Sequence, residues 1–212
     1  MAFNYWQQFE EGNIYHIYNH AVGDEDLFRS DFDYENFLFK YNYYFKNYFS
    51  TYAYCLMPNH FHFLCKVKPF EEVKIYLQNE KTKVAKKVID QELLFDDFII
   101  DQMRRFFSSI TLKYNRRYDR KGSLFYKRFK RVIVKNETKL LYYLCYIHHN
   151  PIHHNFASDY SQWKYSSFSS YTKNLNSIIE KKEILDWIGG LNIFIENHDN
   201  FKIIPGNQSN LD

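Results

Sequence analysis

Two short stretches carry residues whose types and spacing could do chemistry together. In Cys55-Leu56-Met57-Pro58-Asn59-His60-Phe61-His62-Phe63-Leu64, two histidines stand two residues apart. On a strand, residues i and i+2 project to the same face, so His60 and His62 can present two imidazoles to one cation while Phe61 and Phe63 turn into the core. The same HxH pattern fits two hydrogen-bonded surface histidines, and a metal site needs a third ligand. The second stretch, Tyr143-Leu144-Cys145-Tyr146-Ile147-His148-His149-Asn150-Pro151, can supply one if it is helical. Tyr146 and Asn150 are four residues apart and would lie one above the other, aiming a hydroxyl and an amide oxygen at a common centre. That pairing fits a nucleophile and a third ligand. The spacing also fits a core aromatic followed by a helix C-cap.

The elements that must position these groups follow from periodicity and turn chemistry. Tyr15–Asn19 reads as a strand with Ile14, His16 and Tyr18 on one face and Tyr15, Ile17 and Asn19 on the other. Asp33 is a candidate N-cap for a helix over 34–48, with Phe37, Leu38, Tyr41 and Tyr44 at helical spacing. Strands over 50–56 and 61–67 flank the Met57-Pro58-Asn59 turn signal. Helices over 70–90 and 96–118 follow, then a strand over 124–134 and a helix over 139–149 that Asn150-Pro151 should stop, because the residue before proline disfavours helical geometry. The order β-α-β-β-α-α-β-α predicts an α+β fold: a ferredoxin-like or RRM-like antiparallel sheet with helices on one face. Residues 1–155 would form this palm. Residues 156–212 would be a C-terminal arm packing on or near it, with a polar, partly disordered tail.

Composition bounds the class. A chain of 212 residues, 45% hydrophobic and 25% charged, fits one compact domain with at most a small extension. No run of about 18 uncharged apolar residues marks a membrane span, and residues 1–8 lack the pattern of a secretion signal, so a cytoplasmic location is expected. Cys55, Cys65 and Cys145 sit in apolar segments without CxxC spacing and read as buried, reduced thiols. Aromatics make up 21% of the chain, enough both to fill a core and to stack on bases.

The net charge is only +3, so any nucleic-acid surface must be local. Residues 113–139, KYNRRYDRKGSLFYKRFKRVIVKNETK, supply it: eleven Lys and Arg against Asp119 and Glu137, interleaved with Tyr114, Tyr118, Phe125, Tyr126 and Phe129. Such a run also fits a solvated helix end and turn.

Taken jointly, four stretches resemble a known family. YHIYNHAV, AYCLMPNHFHFL, KGSLFYKRFK, and YIHHNPIHH followed by DYSQWKYSSFSSY occur in the order found in the single-tyrosine HUH transposases, and most closely in their REP-associated tyrosine transposase branch. The resemblance runs from about Tyr15 to Tyr171. It implies that His60 and His62 are the paired histidine ligands, Tyr146 the catalytic tyrosine and Asn150 the amide ligand four residues later. Tyr142, Tyr143, Tyr114, Tyr118 and Tyr126 are rivals by composition alone. Where relatives often have tryptophan and glutamine in the basic hairpin, this chain has Phe125 and Tyr126.

The implied activity is cleavage and rejoining of single-stranded DNA near hairpins. A divalent cation, Mg²⁺ or Mn²⁺, would be held by His60, His62 and Asn150, and Tyr146 would form a phosphotyrosine link expected on the 5′ side. Arg116, Arg117, Arg120, Lys121, Lys127, Arg128, Lys130 and Arg131 would hold the DNA backbone. His148, His149, His153 and His154 are candidate bases, although a surface or phosphate-contacting role suits each. A monomer and a homodimer sharing the tyrosine helix both suit the layout, and the protein would join the nucleoid when bound to DNA. Two other classes compete: an RRM-like binding module without catalysis, and a metal-dependent nuclease using activated water.

Overall fold

The computed structural model describes residues 7–126, 128–173 and 177–202. Its sheet has four strands, β1 (Ile14–His20), β2 (Phe49–Met57), β3 (His60–Val67) and β4 (Lys130–Val134), in the spatial order β2-β3-β1-β4. Every pair is antiparallel, with Tyr18 opposite His62 and Ile17 opposite Phe63 across β1 and β3. With α1 (Asp31–Phe45) between β1 and β2, and α4 (Phe95–Arg117) before β4, this is the expected ferredoxin-like arrangement.

Strand alternation sorts the side chains into two layers. Phe61 and Phe63 face α1 and α4, with Phe37 5.1 Å from Phe61, Tyr41 3.8 Å from Phe63 and Phe106 5.0 Å from Phe37, ring centre to ring centre. These are the helices expected on one face. The other face, which carries His16, Tyr18, His60 and His62, is covered in addition by α5 (Glu137–His153), whose Tyr143 ring lies 4.8 Å from that of His16. Tyr15, Tyr18, Tyr52, Tyr146, Phe37, Phe45, Phe61, Phe63, Phe106 and Phe194 are all fully buried, so much of the aromatic content packs the core. Each such ring contributes about 1.5–3 kcal/mol of burial.

Downstream of α5 the chain runs along the open edge of β2. Leu56 N–H donates to the Tyr165 carbonyl at 3.0 Å, Ser167 N–H to the Tyr54 carbonyl at 2.9 Å, and Trp163 Nε1–H to the Leu56 carbonyl at 2.9 Å. This pairing protects an edge that would otherwise present unpaired amides. Three short helices follow, α6 (Phe168–Thr172), α7 (Lys181–Ile188) and α8 (Leu191–Asp199). The polar tail expected over residues 207–212 lies outside the described residues.

Several boundaries differ from the sequence reading for local reasons. Ser30, not Asp33, is the N-cap of α1. Asp33 is the third residue of the helix and its Oδ2 reaches back to accept from the Ser30 N–H at 3.0 Å. The helix expected over 70–90 is two, α2 (Phe70–Glu80) and α3 (Lys83–Ile89), because Lys81 takes a left-handed φ of 50° and Thr82 caps the second helix, its Oγ1 accepting from Ala85 N–H at 3.0 Å. The strand expected over 124–134 pairs continuously only from Lys130, with an isolated bridge between Phe125 and Ala21 before it. Pro151 does not stop α5. The helix continues to His153, and the His154 N–H still reaches the Asn150 carbonyl at 3.0 Å. Proline lacks an N–H to offer the Ile147 carbonyl, and burial of the whole 143–151 run outweighs that loss. The three cysteines are buried and free, and no helix among the described residues is long and apolar enough to cross a membrane.

Candidate active site

Each candidate ligand is held by a regular element. The Pro58-Asn59 turn is pinned from below, Leu27 and Phe28 N–H donating to the Pro58 carbonyl at 2.7 and 3.0 Å and Ala21 N–H to the Asn59 carbonyl at 2.8 Å. His60 and His62 then leave the turn on β3, pointing away from Phe61 and Phe63. Opposite them, α5 starts at the Asn136 cap, whose side chain accepts from Lys139 N–H at 2.9 Å, and brings Tyr146 and Asn150 down on its sheet-facing side.

The two elements meet where the spacing predicts. His60 Nε2 lies 3.0 Å from Asn150 Oδ1, and the Tyr146 ring stands edge-on to the His62 ring at 5.8 Å. The His60 and His62 rings are 5.1 Å apart and nearly perpendicular. All four side chains are buried. His62 Nε2 and Asn150 Nδ2 are enclosed without a hydrogen-bond partner, an unusual cost for buried polar atoms. Among the described residues no three His, Cys, Asp or Glu side chains group to hold an ion, so the Asn150 amide is needed to complete a set with the two imidazoles. Two neutral imidazoles and an amide oxygen fit a divalent cation. Burial, and then the neighbouring His16, His60, His20 and His154 rings, hold the His62 pKa well below its ordinary value, which keeps it in the neutral form that ligation requires.

Contacts that the sequence did not single out surround this centre. His16 Nε2 lies 2.9 Å from His62 Nδ1, and Asn59 Oδ1 lies 2.7 Å from His60 Nδ1. His20 and His154 flank His60, their rings 4.8 and 4.7 Å from it. The signal for His16 was its place on the His16/Tyr18 face of the first strand, and it could not be used without knowing that β1 pairs with β3.

The rival tyrosines separate. Tyr114 and Tyr118 lie at the far end of the α1–α4 layer, donating to the Asp26 carbonyl and to Asp33 Oδ2 at 2.5 and 2.6 Å, and burial pushes the Tyr114 pKa up to about 12. Tyr126 is exposed. Tyr143 packs on His16, and Tyr142 stacks on Tyr146 with ring centres 5.9 Å apart. Of the four candidate bases, His148 and His149 make their bonds away from the His60–His62 pair, His148 to Ser167 Oγ and His198 at 2.7 and 2.8 Å and His149 to the Cys145 carbonyl at 2.9 Å. His154 remains beside His60, and His153 packs against it with ring centres 4.9 Å apart.

The basic segment divides in the same way. Arg116 and Arg117 end α4 on the surface, and Lys121 and Arg128 are exposed. Lys130 is on the histidine face, its Nζ 5.2 Å from the centre of the Tyr18 ring. Lys127 lies outside the described residues. Arg120 and Arg131 are engaged within the protein, and burial takes Arg131 out of reach of a phosphate. Arg120 is held by Glu25 at 2.9 Å and by the Ser123 carbonyl at 2.8 Å. Arg131 alternates to the other face of β4, where it is 6% exposed, bonded to the Gln7 carbonyl, paired with Asp96 at 3.4 Å and laid over Phe9.

No family model matches the chain. A curated protein of Haemophilus influenzae, named provisionally as a REP-associated tyrosine transposase, is 26% identical over 124 residues, covering 57% of this chain and 59% of that relative's length. A solved structure titled as a REP-associated tyrosine transposase bound to a REP hairpin superposes with a TM-score of 0.58 over 84% of this chain and 90% of that one, at 16% identity. The likeness to REP-associated tyrosine transposases carried by the sequence motifs is thus met again in a curated relative and, for the fold, in a solved structure.

Proposed function

We propose that the chain is a transposase of the single-tyrosine HUH type, cutting and rejoining single-stranded DNA beside a hairpin through a covalent link to Tyr146. The observation that carries this reading is the convergence of His60 and His62 from β3 with Tyr146 and Asn150 from α5, tied by the 3.0 Å approach of His60 Nε2 to Asn150 Oδ1. Residues 90 positions apart have no packing reason to place two polar groups together in a buried layer.

His60, His62 and Asn150 would hold a divalent cation, Mg²⁺ or Mn²⁺, which supplies charge neutralisation for the scissile phosphate. The Tyr146 phenolic oxygen attacks phosphorus and loses its proton. The bond from phosphorus to the 3′ oxygen breaks, leaving a 5′-phosphotyrosine and a free 3′-hydroxyl. One phosphoester replaces another, so the hydroxyl can reverse the step without an external energy source. Lys130, on the histidine face, is placed to draw the phosphate towards this centre. Arg116, Arg117, Lys121 and Arg128, with Lys127, would follow the backbone outside it. Because Tyr146 is fully buried, DNA must displace part of the layer above it before attack.

The relative's name and the solved complex with a REP hairpin support a folded-back substrate. An RRM-like module is disfavoured because α5 occupies the sheet face on which such a module would stack bases. The test is incubation of the protein with Mn²⁺ or Mg²⁺ and labelled hairpin DNAs carrying single-stranded flanks, scored on a denaturing gel. An adduct present in the wild type and absent in Tyr146→Phe is expected. Cleavage without an adduct would replace the reading with a water-using nuclease.

A further inference from the structure

We propose that a cavity of about 880 Å³ between α4 and residues 123–131, on the side of the sheet away from the histidines, receives one unpaired base of the DNA strand flanking the hairpin. The inference rests on the reading of the chain as an enzyme of single-stranded DNA beside a hairpin, and it says where that strand is held.

The floor of the cavity is aromatic. Phe107 of α4 stands 4.9 Å from Phe125 and 5.8 Å from Phe129, ring centre to ring centre. Phe125 is buried, whereas Phe107 and Phe129 are only half-buried and leave ring area open to the cavity. A flat apolar group stacked there would remove that area from water. The volume falls within the roughly 300–1,000 Å³ of sites that hold small organic ligands, so a base with its sugar can enter.

The rim is cationic. Arg104 and Arg128 are exposed at the mouth. Asp101 pairs with both Arg104 and Arg105 at 2.6 Å, so one carboxylate faces two guanidiniums and the group keeps a net positive charge. Exposed arginines above an aromatic floor match the two halves of a nucleotide, the phosphate outside and the base stacked within. A neutral apolar ligand would use the floor and leave the rim charge unanswered.

The wall of the cavity is tied to the candidate active site through backbone. Tyr126 N–H donates to the His20 carbonyl at 3.1 Å, Asn19 Nδ2 donates to the Tyr126 carbonyl at 3.3 Å, and the His20 ring lies 4.8 Å from that of His60. β4 is an edge strand beside β1, with Lys130 on the histidine face and Phe129 and Arg131 on the cavity side. A strand leaving the histidines past Lys130 has only the β4 edge to cross before it meets Arg128 and the aromatic floor. A base held there would anchor the flank at a fixed distance from the scissile phosphate.

The test locates the base directly. 5-Iododeoxyuridine is placed at one flank position at a time in hairpin DNAs with single-stranded flanks, the DNAs are irradiated on the wild-type protein with and without Mn²⁺, and the crosslinked residues are identified by mass spectrometry. One position, or two adjacent ones, should join to Phe107, Phe125, Tyr126 or Phe129; crosslinks confined to other residues overturn the proposal. Thr111 borders the cavity from α4, and Thr111→Trp fills it with an indole. An abasic site at the crosslinked position should weaken wild-type binding about tenfold and leave binding to Thr111→Trp unchanged. An equal abasic loss in both proteins places the base elsewhere, and if Thr111→Trp fails to fold the crosslinks alone decide. A Tyr146 adduct without crosslinks at the cavity rejects the cavity and keeps the proposed reaction. Crosslinks at the cavity without an adduct reject the reaction and keep the cavity as a single-stranded DNA site, and failure to bind any hairpin DNA rejects both.

Discussion

His60 Nε2 and Asn150 Oδ1 face each other at 3.0 Å in a buried layer between sheet and helix. The contact joins β3 to α5 and fixes the depth at which Tyr146 sits, and on the proposed reading the same amide would also complete a ligand set. Replacement of Asn150 by Asp separates these roles. In the metal-free protein the new carboxylate is buried beside His60, and we expect a loss of about 3 kcal/mol, or ~10 °C in Tm for a chain of this size. Mn²⁺ should restore most of that loss, so the gap between Tm in Mn²⁺ and in EDTA should exceed the wild-type gap. Equal gaps in the two proteins would show that position 150 does not touch the cation.

Arg131 and the pair Arg116 and Arg117 should behave oppositely, although one charge run contains all three. Arg131 is enclosed with Asp96, the Gln7 carbonyl and the Phe9 ring, so Arg131→Ala removes the cation beside a half-buried carboxylate, leaving it the Phe9 N–H alone. A destabilisation of about 3 kcal/mol is expected. Arg116→Ala and Arg117→Ala remove exposed charges at the end of α4 and should change stability by less than about 0.5 kcal/mol. Each should instead weaken DNA binding and reduce the slope of log K against log salt concentration by about 1. Denaturant titrations and salt-dependent binding isotherms on the three variants check this; a salt slope unchanged in both surface variants would move the DNA path away from α4.

Tyr142→Phe and Tyr143→Phe test the choice of nucleophile from the other side. Tyr142 stacks on Tyr146 and Tyr143 packs on His16, so each supports the centre through its ring, which phenylalanine keeps. Adduct yield should stay within about threefold of wild type in both. Loss of the adduct in Tyr143→Phe alone would transfer the role to that hydroxyl.

The sequence exposed the parts of this centre that obey a period. His60 and His62 share a face because strands repeat every two residues, and Tyr146 and Asn150 because helices repeat every three to four. What it hid were contacts made by pairing. His16 meets His62 only because β1 lies beside β3, and a strand neighbour is set by topology, not by spacing. The basic run was legible as charge but not as direction: Lys130 and Arg131 are adjacent in sequence and project to opposite faces of β4, one to the histidines and one into the core. Pro151 misled for a related reason, since local preference ended α5 at a place where burial on all sides keeps it helical.

The outer side of α5 yields the last prediction, a dependence of stability on pH. His148 Nδ1 and His198 Nε2 meet at 2.8 Å, tying α5 to α8, while His148 Nε2 bonds Ser167 Oγ beside β2. Burial lowers the His148 pKa well below its ordinary value and brings that of His198 to about 4; burial also lowers His149, against which Asp159 and Asp199 act weakly in the other direction. All three are therefore neutral in the folded protein at pH 7. The unfolded chain takes up protons near pH 6.5 while the folded chain does not, so the stabilisation is complete above about pH 6.5 and is lost as pH falls towards 4. His198 alone accounts for about 3 kcal/mol of that loss. Denaturant melts between pH 7.5 and 4.5 should show stability falling with pH, and the fall should shrink in a His148→Gln/His198→Gln double variant. Hydrogen exchange should locate the first loosening at α8 and the outer side of α5, ahead of β1 and β3. A flat profile, or a fall of the same size in the double variant, would mean that the His148–His198 contact carries no such cost.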